Sequence, residues 1–384
     1  MAAIDRALSI EDLRRLAKNR LPASICGYVD GASEDRFSLK ENRSAFSRWG
    51  FLTHPLVNVS KRDITIEIFG EQYQSPVGIS PMGVSALCGY EGDLSLAKAA
   101  KQVSAPFILS AASTVPVERV LKENPLTWYQ AYIPADFSVI DPLLKRLKNA
   151  NVKVLVITVD VQVASVRENE LRNGFTIPLR PSFQLILGGL LRPYWLINTL
   201  FKTLLFKGVP RFENYTAERG GPIIKVAKGN HRAGRDAMTW ADIARIRNAW
   251  AGTLIIKGIL RPEDALKAEE VGADGIIVSN HGGRQLDGAI APLDALLEIV
   301  KAVPKMTVMM DGGIRRGTDI LKAYALGAKC VFVGRPVMYG LSAGGEAGVL
   351  KALSLLKSEV DVDLALLGSP SIKTIDYSYI KRID

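Results

Sequence analysis

Eight short apolar runs punctuate this chain, and nearly all end in polar residues or glycine. They are PVGIS (76–80), PFILS (106–110), LTWYQ (126–130), VLVITVD (154–160), LIIKG (254–258), GIIVSN (275–280), TVMMDGG (307–313) and CVFVGR (330–335). Each has the length of a strand. Between most of them lies one stretch of helical period, clearest in EGDLSLAKAAKQV, VIDPLLKRLKNA, RPEDALKAEEVGA and GTDILKAYALGA. Strands alternating with helices predict an α/β fold, and eight such units predict a (β/α)8 TIM barrel over 76–335. A doubly wound open sheet is the alternative. No G-x-G-x-x-G opens a helix near the N-terminus, which weighs against it.

Three segments do not fit the repeat. Residues 1–75 read as helical and then extended (ITIEI, 64–68) and form an N-terminal cap. The stretch between the fourth and fifth runs is too long for a simple crossover, so an insertion is expected at about 181–236. Residues 336–384 read as C-terminal helices. The whole of 1–384 is expected to form a single domain, and the 48% apolar fraction supports a packed core. Cys26, Cys88 and Cys330 lie far apart without metal-ligand spacing, so reduced, mostly buried thiols are expected and no metal site. The charged N-terminal stretch lacks a signal-peptide core, which places the body of the protein in the cytoplasm. The net charge of +10 suits an anionic substrate, a phosphate-bearing cofactor or an anionic membrane, or is simply a solvated basic surface. No nucleic-acid motif accompanies it, and no nucleic-acid partner is expected.

In such barrels the active site lies at the C-terminal ends of the strands. Here those ends carry Ser80-Pro81-Met82-Gly83, Ser110, Gln130 with Tyr132, Thr158 with Asp160, Lys257, Ser279 with His281, Asp311-Gly312-Gly313 and Gly334-Arg335. The last two strands end in glycines followed by arginines, DGGIRRG and GRP. Glycines expose backbone N–H groups and arginine supplies a fork, so a phosphate-bearing cofactor is expected at that end.

SNHGGRQLDG (279–288), together with DGGIRRGTDILKAYALGA, VGRP and the N-terminal GYVDGASEDRFSLKENRSAFSR, resembles the FMN-dependent L-2-hydroxy acid oxidoreductase family. That family includes glycolate oxidase, L-lactate dehydrogenase and S-mandelate dehydrogenase. The resemblance runs from about Leu21 to the C-terminus and weakens only at about 181–236. It implies FMN as cofactor and oxidation of an L-2-hydroxy acid to the 2-keto acid. It also implies a role for each matching residue. His281 is the base, a task suited to a group that titrates near working pH. Asp160 pairs with it and stabilises the imidazolium. Arg167 and Arg284 bind the substrate carboxylate, and Tyr28 and Tyr132 hydrogen-bond the substrate, Tyr132 counting also among the catalytic groups. Lys257 stands at the N1/C2 edge of the flavin, where a cation stabilises the reduced ring. Ser110, Gln130, Thr158 and Ser279 match positions around the flavin, with Pro81, Met82 and Gly83 beside it. Asp311, Gly312, Gly313, Arg315, Gly334 and Arg335 form the phosphate end. The run VQVASVRENE lacks the proline and glycine that the family often has after TVD. The spacing to Arg167 is kept, so a differently shaped loop is expected.

Two positions bear on subclass. Oxidases of the family usually carry alanine where Gly83 stands and membrane dehydrogenases usually carry glycine. Ala112 replaces the large aromatic of glycolate oxidase and leaves room for a bulky substituent on Cα. The segment 181–210 is the most apolar of the chain. It is broken by Arg192, Lys202 and Lys207 and includes Tyr194 and Trp195, which suits a segment lying in a membrane interface. A lid burying the same residues over the barrel mouth is the alternative. The combined expectation is a peripheral dehydrogenase on the cytoplasmic side of the membrane. It would pass electrons from a mandelate-like or lactate-like acid to a quinone or another membrane acceptor, and family resemblance implies a homotetramer. The alternatives are a soluble cytoplasmic oxidase that forms hydrogen peroxide and a non-catalytic membrane-associated flavoprotein.

Overall fold

The computed structural model describes residues 3–180, 182–225 and 234–383. Parts of the expected cap (1–2), insertion (181 and 226–233) and C-terminal segment (384) lie outside the described residues. The chain begins with α1 (Ile10–Arg20), where Ser9 accepts a hydrogen bond from the Asp12 backbone N–H and so satisfies a free helix-end donor. Ile10, Leu13 and Ala17 form the buried stripe of α1. Next come α2 (Ala23–Asp30), α3 (Phe37–Ser44) and β1 (Trp49–Phe51). The expected extended segment is a hairpin of β2 (Ile66–Ile68) and β3 (Glu71–Tyr73). Its turn residue Phe69 packs on Trp128 and lies beside Gly275, so the hairpin closes the N-terminal end of the barrel. The cap therefore has two parts, because α2 and α3 reach the opposite end.

The barrel strands are β4 (Val77–Ile79), β5 (Ile108–Ser110), β6 (Trp128–Ala131), β7 (Val154–Thr158), β8 (Thr253–Ile259), β9 (Gly275–Val278), β10 (Thr307–Asp311) and β11 (Val331–Val333). They form one sheet in the order β4-β11-β10-β9-β8-β7-β6-β5, with every pairing parallel. A bridge between Ile79 and Phe107 closes the ring. The fold is thus the (β/α)8 barrel. Several strands stop short of their apolar runs. β10 ends at Asp311 because Gly312 and Gly313 adopt φ of +105° and +83°, which no strand continues through.

Helices α4 (Gly92–Gln102), α5 (Val117–Glu123) and α6 (Phe137–Asn149) follow the first three barrel strands. After β7 come α7 (Glu168–Arg172), α8 (Phe183–Leu190), α9 (Pro193–Trp195), a π-helical turn (Leu196–Phe201) and α10 (Lys202–Lys207). Then α11 (Trp240–Ala249) precedes β8, α12 (Pro262–Glu270), α13 (Pro292–Ala302) and α14 (Gly317–Ala325) continue the outer ring, and the helix after β11, packed between α14 and α4, closes it. The C-terminal segment departs from the all-helical expectation. Helix α15 (Arg335–Leu367) kinks at Gly344–Gly345, and the chain ends in β12 (Ile380–Arg382), antiparallel to β1. A three-residue strand that buries only Ile380 carries no periodicity to read.

Candidate active site

The strand ends and the loops after them converge on one cleft. It is lined by Tyr28, Ser80 to Gly83, Ala112, Tyr132, Arg167, Lys257, His281, Arg284, Asp311 to Gly313, Arg315, Gly334 and Arg335. His281 Nδ1 lies 3.0 Å from Oδ1 of Asp160, which with Thr158 and Ser279 lines a second pocket. His281 holds a left-handed backbone with φ +58°, a conformation that costs a non-glycine residue about 1 kcal/mol. Its N–H donates to Ser279 Oγ at 3.0 Å, which helps to keep that turn. On the facing strand Gly258 forms a bulge between Lys257 and Ile259, with φ +107°. A Cβ there would come within 2.7 Å of Asp160 Cβ, so this glycine clears the space for the carboxylate.

Burial lowers the His281 pKa, Lys257 and Arg167 lower it further, and Asp160 only partly offsets them. The imidazole is therefore neutral at neutral pH, the form in which it accepts a proton. Burial alone would raise the Asp160 carboxyl. The facing imidazole, their hydrogen bond and Lys257 outweigh burial and hold it below the usual carboxylate range.

Beside this dyad lies a buried polar chain. Lys257 Nζ donates to Ser279 Oγ at 2.9 Å and pairs with Asp311 Oδ2 at 3.0 Å. Ser279 Oγ in turn donates to Asp311, which also accepts from Ser80 Oγ. Ser110 Oγ donates to Gln130 Oε1 at 3.1 Å. Gln130 Nε2 and Thr158 Oγ1 are buried with no hydrogen-bond partner among the described residues. Leaving buried polar atoms unpaired costs about 1–3 kcal/mol each, so a ring edge with hydrogen-bonding atoms would relieve both.

Arg315 and Arg335 meet at the end of the cleft formed by β10 and β11. Neither makes an ion pair among the described residues. Burial lowers the pKa of both, and for Arg335 the push, with Arg284 and Arg315 adding repulsion, reaches about 9. Arg335 already donates to the carbonyls of Val29, Gly282 and Gly31, which fixes its plane. Two buried guanidiniums without a counter-charge are the condition that a phosphate dianion would relieve.

Arg167 and Arg284 come from the other side. Arg284 Nη1 donates to the carbonyls of Tyr28 and Gly31, and Nη2 donates to Glu170 Oε1 at 2.8 Å. Arg167 Nε donates to Ser165 Oγ and to the Arg284 carbonyl, and Nη2 donates to Gln285. Ser165, in the atypical VQVASVR run, also donates to the Arg284 carbonyl, so this loop reaches the cleft by its own contacts. Tyr28 stacks on Phe175 and donates to the Gly83 carbonyl at 3.0 Å. Burial raises its pKa to about 12 and also pushes the Tyr132 phenol up, so both stay protonated. Gly83 and Ala112, separate clues in the sequence, touch one another. A Cβ on Gly83 would sit 2.8 Å from Ala112 Cβ.

Four cleft-side groups were not legible in the sequence: Glu170, Phe212, Tyr215 and Arg235. The Arg235 guanidinium lies 4.6 Å from the Tyr132 ring centre, and Phe212 and Tyr215 pack together beside it. The last three come from the insertion, where no periodicity marks them. Glu170 stands three residues after Arg167, the one signal available.

The insertion helices α8 to α10 sit beside this cleft. Gly189, Trp195, Thr199 and Thr203 face the body, and Trp195 Nε1 donates to the Leu87 carbonyl. Helix α8 lies on α2, which carries Tyr28. Arg192 donates to the Leu21 carbonyl, while Lys202, over the Tyr90 ring, and Lys207, paired with Glu91, stay exposed. The exposed surface of these helices is otherwise mostly apolar, with Phe183 76% and Leu205 78% exposed and Leu190, Leu191, Ile197, Phe201 and Phe206 also exposed. These side chains stand exposed rather than buried against the barrel. Among the described residues no helix is long and apolar enough to cross a membrane.

The profile of the FMN-dependent dehydrogenase family matches residues 17–382. The (S)-mandelate dehydrogenase of Pseudomonas putida is 37% identical over 97% of this chain and 94% of its own. An L-lactate oxidase of Nostoc sp. is 39% identical over 99% of this chain and 100% of its own. The solved structure of the monotopic membrane protein (S)-mandelate dehydrogenase superposes with a TM-score of 0.90 at 34% identity, covering 98% of this chain and 100% of that one.

Proposed function

Since this chain belongs to the FMN-dependent dehydrogenase family, we propose that it oxidises a bulky, mandelate-like L-2-hydroxy acid, with lactate the next choice, and passes the electrons to a membrane quinone. The FMN-dependent oxidation of a 2-hydroxy acid itself comes with the family. The finer reading rests above all on the exposed face of α8 to α10, a mostly apolar patch that also carries the exposed Lys202 and Lys207. Such a face suits insertion into a membrane interface, where a quinone resides. The monotopic character of the similar mandelate dehydrogenase supports it. The cap, barrel, insertion and C-terminal segment act in this reading as one catalytic unit.

The residues present fit FMN. Arg315 and Arg335, with the backbone of Gly312, Gly313 and Gly334, would hold its phosphate. Gln130, Thr158, Ser110 and Ser279 would hold the ring and ribityl chain, and Lys257 its N1/C2 edge, next to Asp311. Pro81, Met82 and Gly83 would flank it. When bound, FMN supplies the acceptor for two electrons from the substrate. The chain's own groups do the rest. Arg167 and Arg284 orient the carboxylate, which sets the carbon bearing the hydroxyl against His281. Tyr132 donates to an oxygen of the substrate, and Tyr28 does the same once its O–H turns from the Gly83 carbonyl. His281 takes a proton on its free Nε2, and Asp160, ionised and 3.0 Å from Nδ1, stabilises the imidazolium that results.

A second reading, a soluble oxidase that uses oxygen, is favoured by the 39% identity to an L-lactate oxidase. One experiment separates the readings. The purified holoprotein is mixed anaerobically with (S)-mandelate or L-lactate, and its flavin absorbance is followed. Bleaching followed by fast reoxidation with a quinone analogue and slow reoxidation with oxygen supports the dehydrogenase. Rapid peroxide formation supports the oxidase, and no bleaching with any 2-hydroxy acid leaves a non-catalytic flavoprotein.

Two substitutions test the substrate side. Arg284→Lys keeps the charge and loses the fork, so kcat/KM should fall about 10- to 100-fold, the worth of one to two charge-assisted hydrogen bonds. If a methyl ester of the substrate works as well as the acid with the wild type, the carboxylate clamp is wrong. Gly83→Ala places a methyl 2.8 Å from Ala112 Cβ and narrows the space beside both. The ratio of kcat/KM for mandelate over lactate should drop, and an unchanged ratio would remove this wall from the substrate pocket.

A further inference from the structure

We propose that Glu170 is a positioning residue that holds the two carboxylate-binding arginines in register and sets the charge of their cluster. Its carboxylate sits between them, with Oε1 2.8 Å from Arg284 Nη2 and 3.7 Å from Arg167 Nη1. All three side chains are largely buried, at 15% exposure for Arg284, 24% for Arg167 and 12% for Glu170. Two guanidiniums held this close repel each other, and burial removes the water that would screen them. Glu170 cancels one of the two charges, so the cluster carries one net positive charge and matches a single substrate carboxylate. It also selects which donors remain. Tyr28 O, Gly31 O and Glu170 occupy three of the five N–H groups of Arg284 and leave Nε–H and one Nη2–H to donate. Without Glu170 the guanidinium plane loses its third tether and can tilt. The proposal rests on the reading of Arg167 and Arg284 as the clamp.

The electrostatics give the role a signature that a packing role lacks. Burial and then Arg284 lower the pKa of Arg167 to about 10, while Glu170, Tyr28 and Tyr132 raise it. Arg167 also helps to lower the His281 pKa. Removing the Glu170 charge removes a group that favours protonated Arg167, so the arginine gives up its proton at lower pH. The alkaline limb of kcat/KM therefore moves towards neutrality.

The test uses the FMN-loaded enzyme as wild type, Glu170→Gln and Glu170→Asp, with kcat and KM measured across pH and FMN content read from flavin absorbance. Glu170→Gln is expected to keep its FMN and to lose about 10- to 100-fold in kcat/KM, mostly in kcat, because the substrate is bound but misaligned. Its alkaline limb should fall about 1 pH unit lower. Glu170→Asp keeps the charge but shortens the reach, so its limb should lie between the two. An unmoved alkaline limb in Glu170→Gln overturns the proposal, as does a loss of activity that only tracks lost FMN or lost folded protein. If Glu170→Gln does not fold, the limb of Glu170→Asp decides in the same way. Failure of the clamp itself is separate: it appears in the wild type, as equal turnover of acid and ester.

Discussion

His281→Ala is expected to leave FMN bound and to slow flavin bleaching by the 2-hydroxy acid by about 10²–10⁴-fold, the usual worth of a positioned general base. His281 contributes its backbone N–H to Ser279 and its ring to Asp160, and among the described residues no hydrogen bond links its side chain to Arg315, Arg335, Gln130 or Thr158. Truncation therefore removes the proton acceptor and leaves those residues in place. Alanine must still adopt φ near +58°, so a small loss of stability should accompany the kinetic one. The burial that lowers the His281 pKa also fixes the pH behaviour of the wild type. Only the neutral ring accepts a proton, so activity should fall on the acid side, with its midpoint below that of an exposed histidine. A stopped-flow trace of His281→Ala close to wild type would remove His281 from the mechanism. A midpoint above 6.5 would contradict the burial argument.

Wild-type protein is expected to sediment with membranes, and a variant with Phe183, Leu190, Leu205 and Phe206 all changed to serine is expected to stay in solution. Each side chain is exposed and faces away from the body. Taking one such group out of water is worth about 1.5 kcal/mol at least, so losing all of them lowers partition by about 6 kcal/mol, or about 10⁴-fold. The inner face of the same helices, with Trp195 on Leu87 and Lys207 on Glu91, is untouched. The variant should therefore fold and still bleach with substrate. Replacing 181–210 by a short polar loop should have the same outcome. Co-sedimentation with lipid vesicles measures the effect. A wild type that remains in the supernatant and makes peroxide rapidly would reverse the assignment in favour of the oxidase.

The barrel was legible because its signal is local. An apolar run of strand length followed by a helical period needs no knowledge of distant residues, and eight repeats leave few ways to bury the runs. The residues at the strand ends could be named for the same reason: once the strands are set, Thr158, Lys257, Ser279 and Asp311 must share one end of the barrel. Element boundaries were less legible. The run TVMMDGG reads through to Gly313, yet its glycines turn away because positive φ ends a strand. β12 escaped notice because pairing to β1, more than three hundred residues earlier, is what makes it a strand.

What the sequence alone determined is the architecture and the kinds of group at the cleft, since strand, turn and helix follow from side-chain periodicity and backbone preference within a few residues. What only the tertiary structure decided is who meets whom. Nothing in RENE shows that Glu170 lies between two arginines 117 residues apart, because that contact depends on two separate loops arriving at the same point. The insertion makes the same case. Its composition marks it as apolar with scattered cations, and composition fits a lid or a membrane face equally well. Folding brings Arg192, Lys202 and Lys207 to a carbonyl, a ring and a carboxylate of the body and leaves the large apolar side chains of the helices in solvent. The direction in which a charged side chain is satisfied is a property of its neighbours in space, and those neighbours come from other parts of the chain.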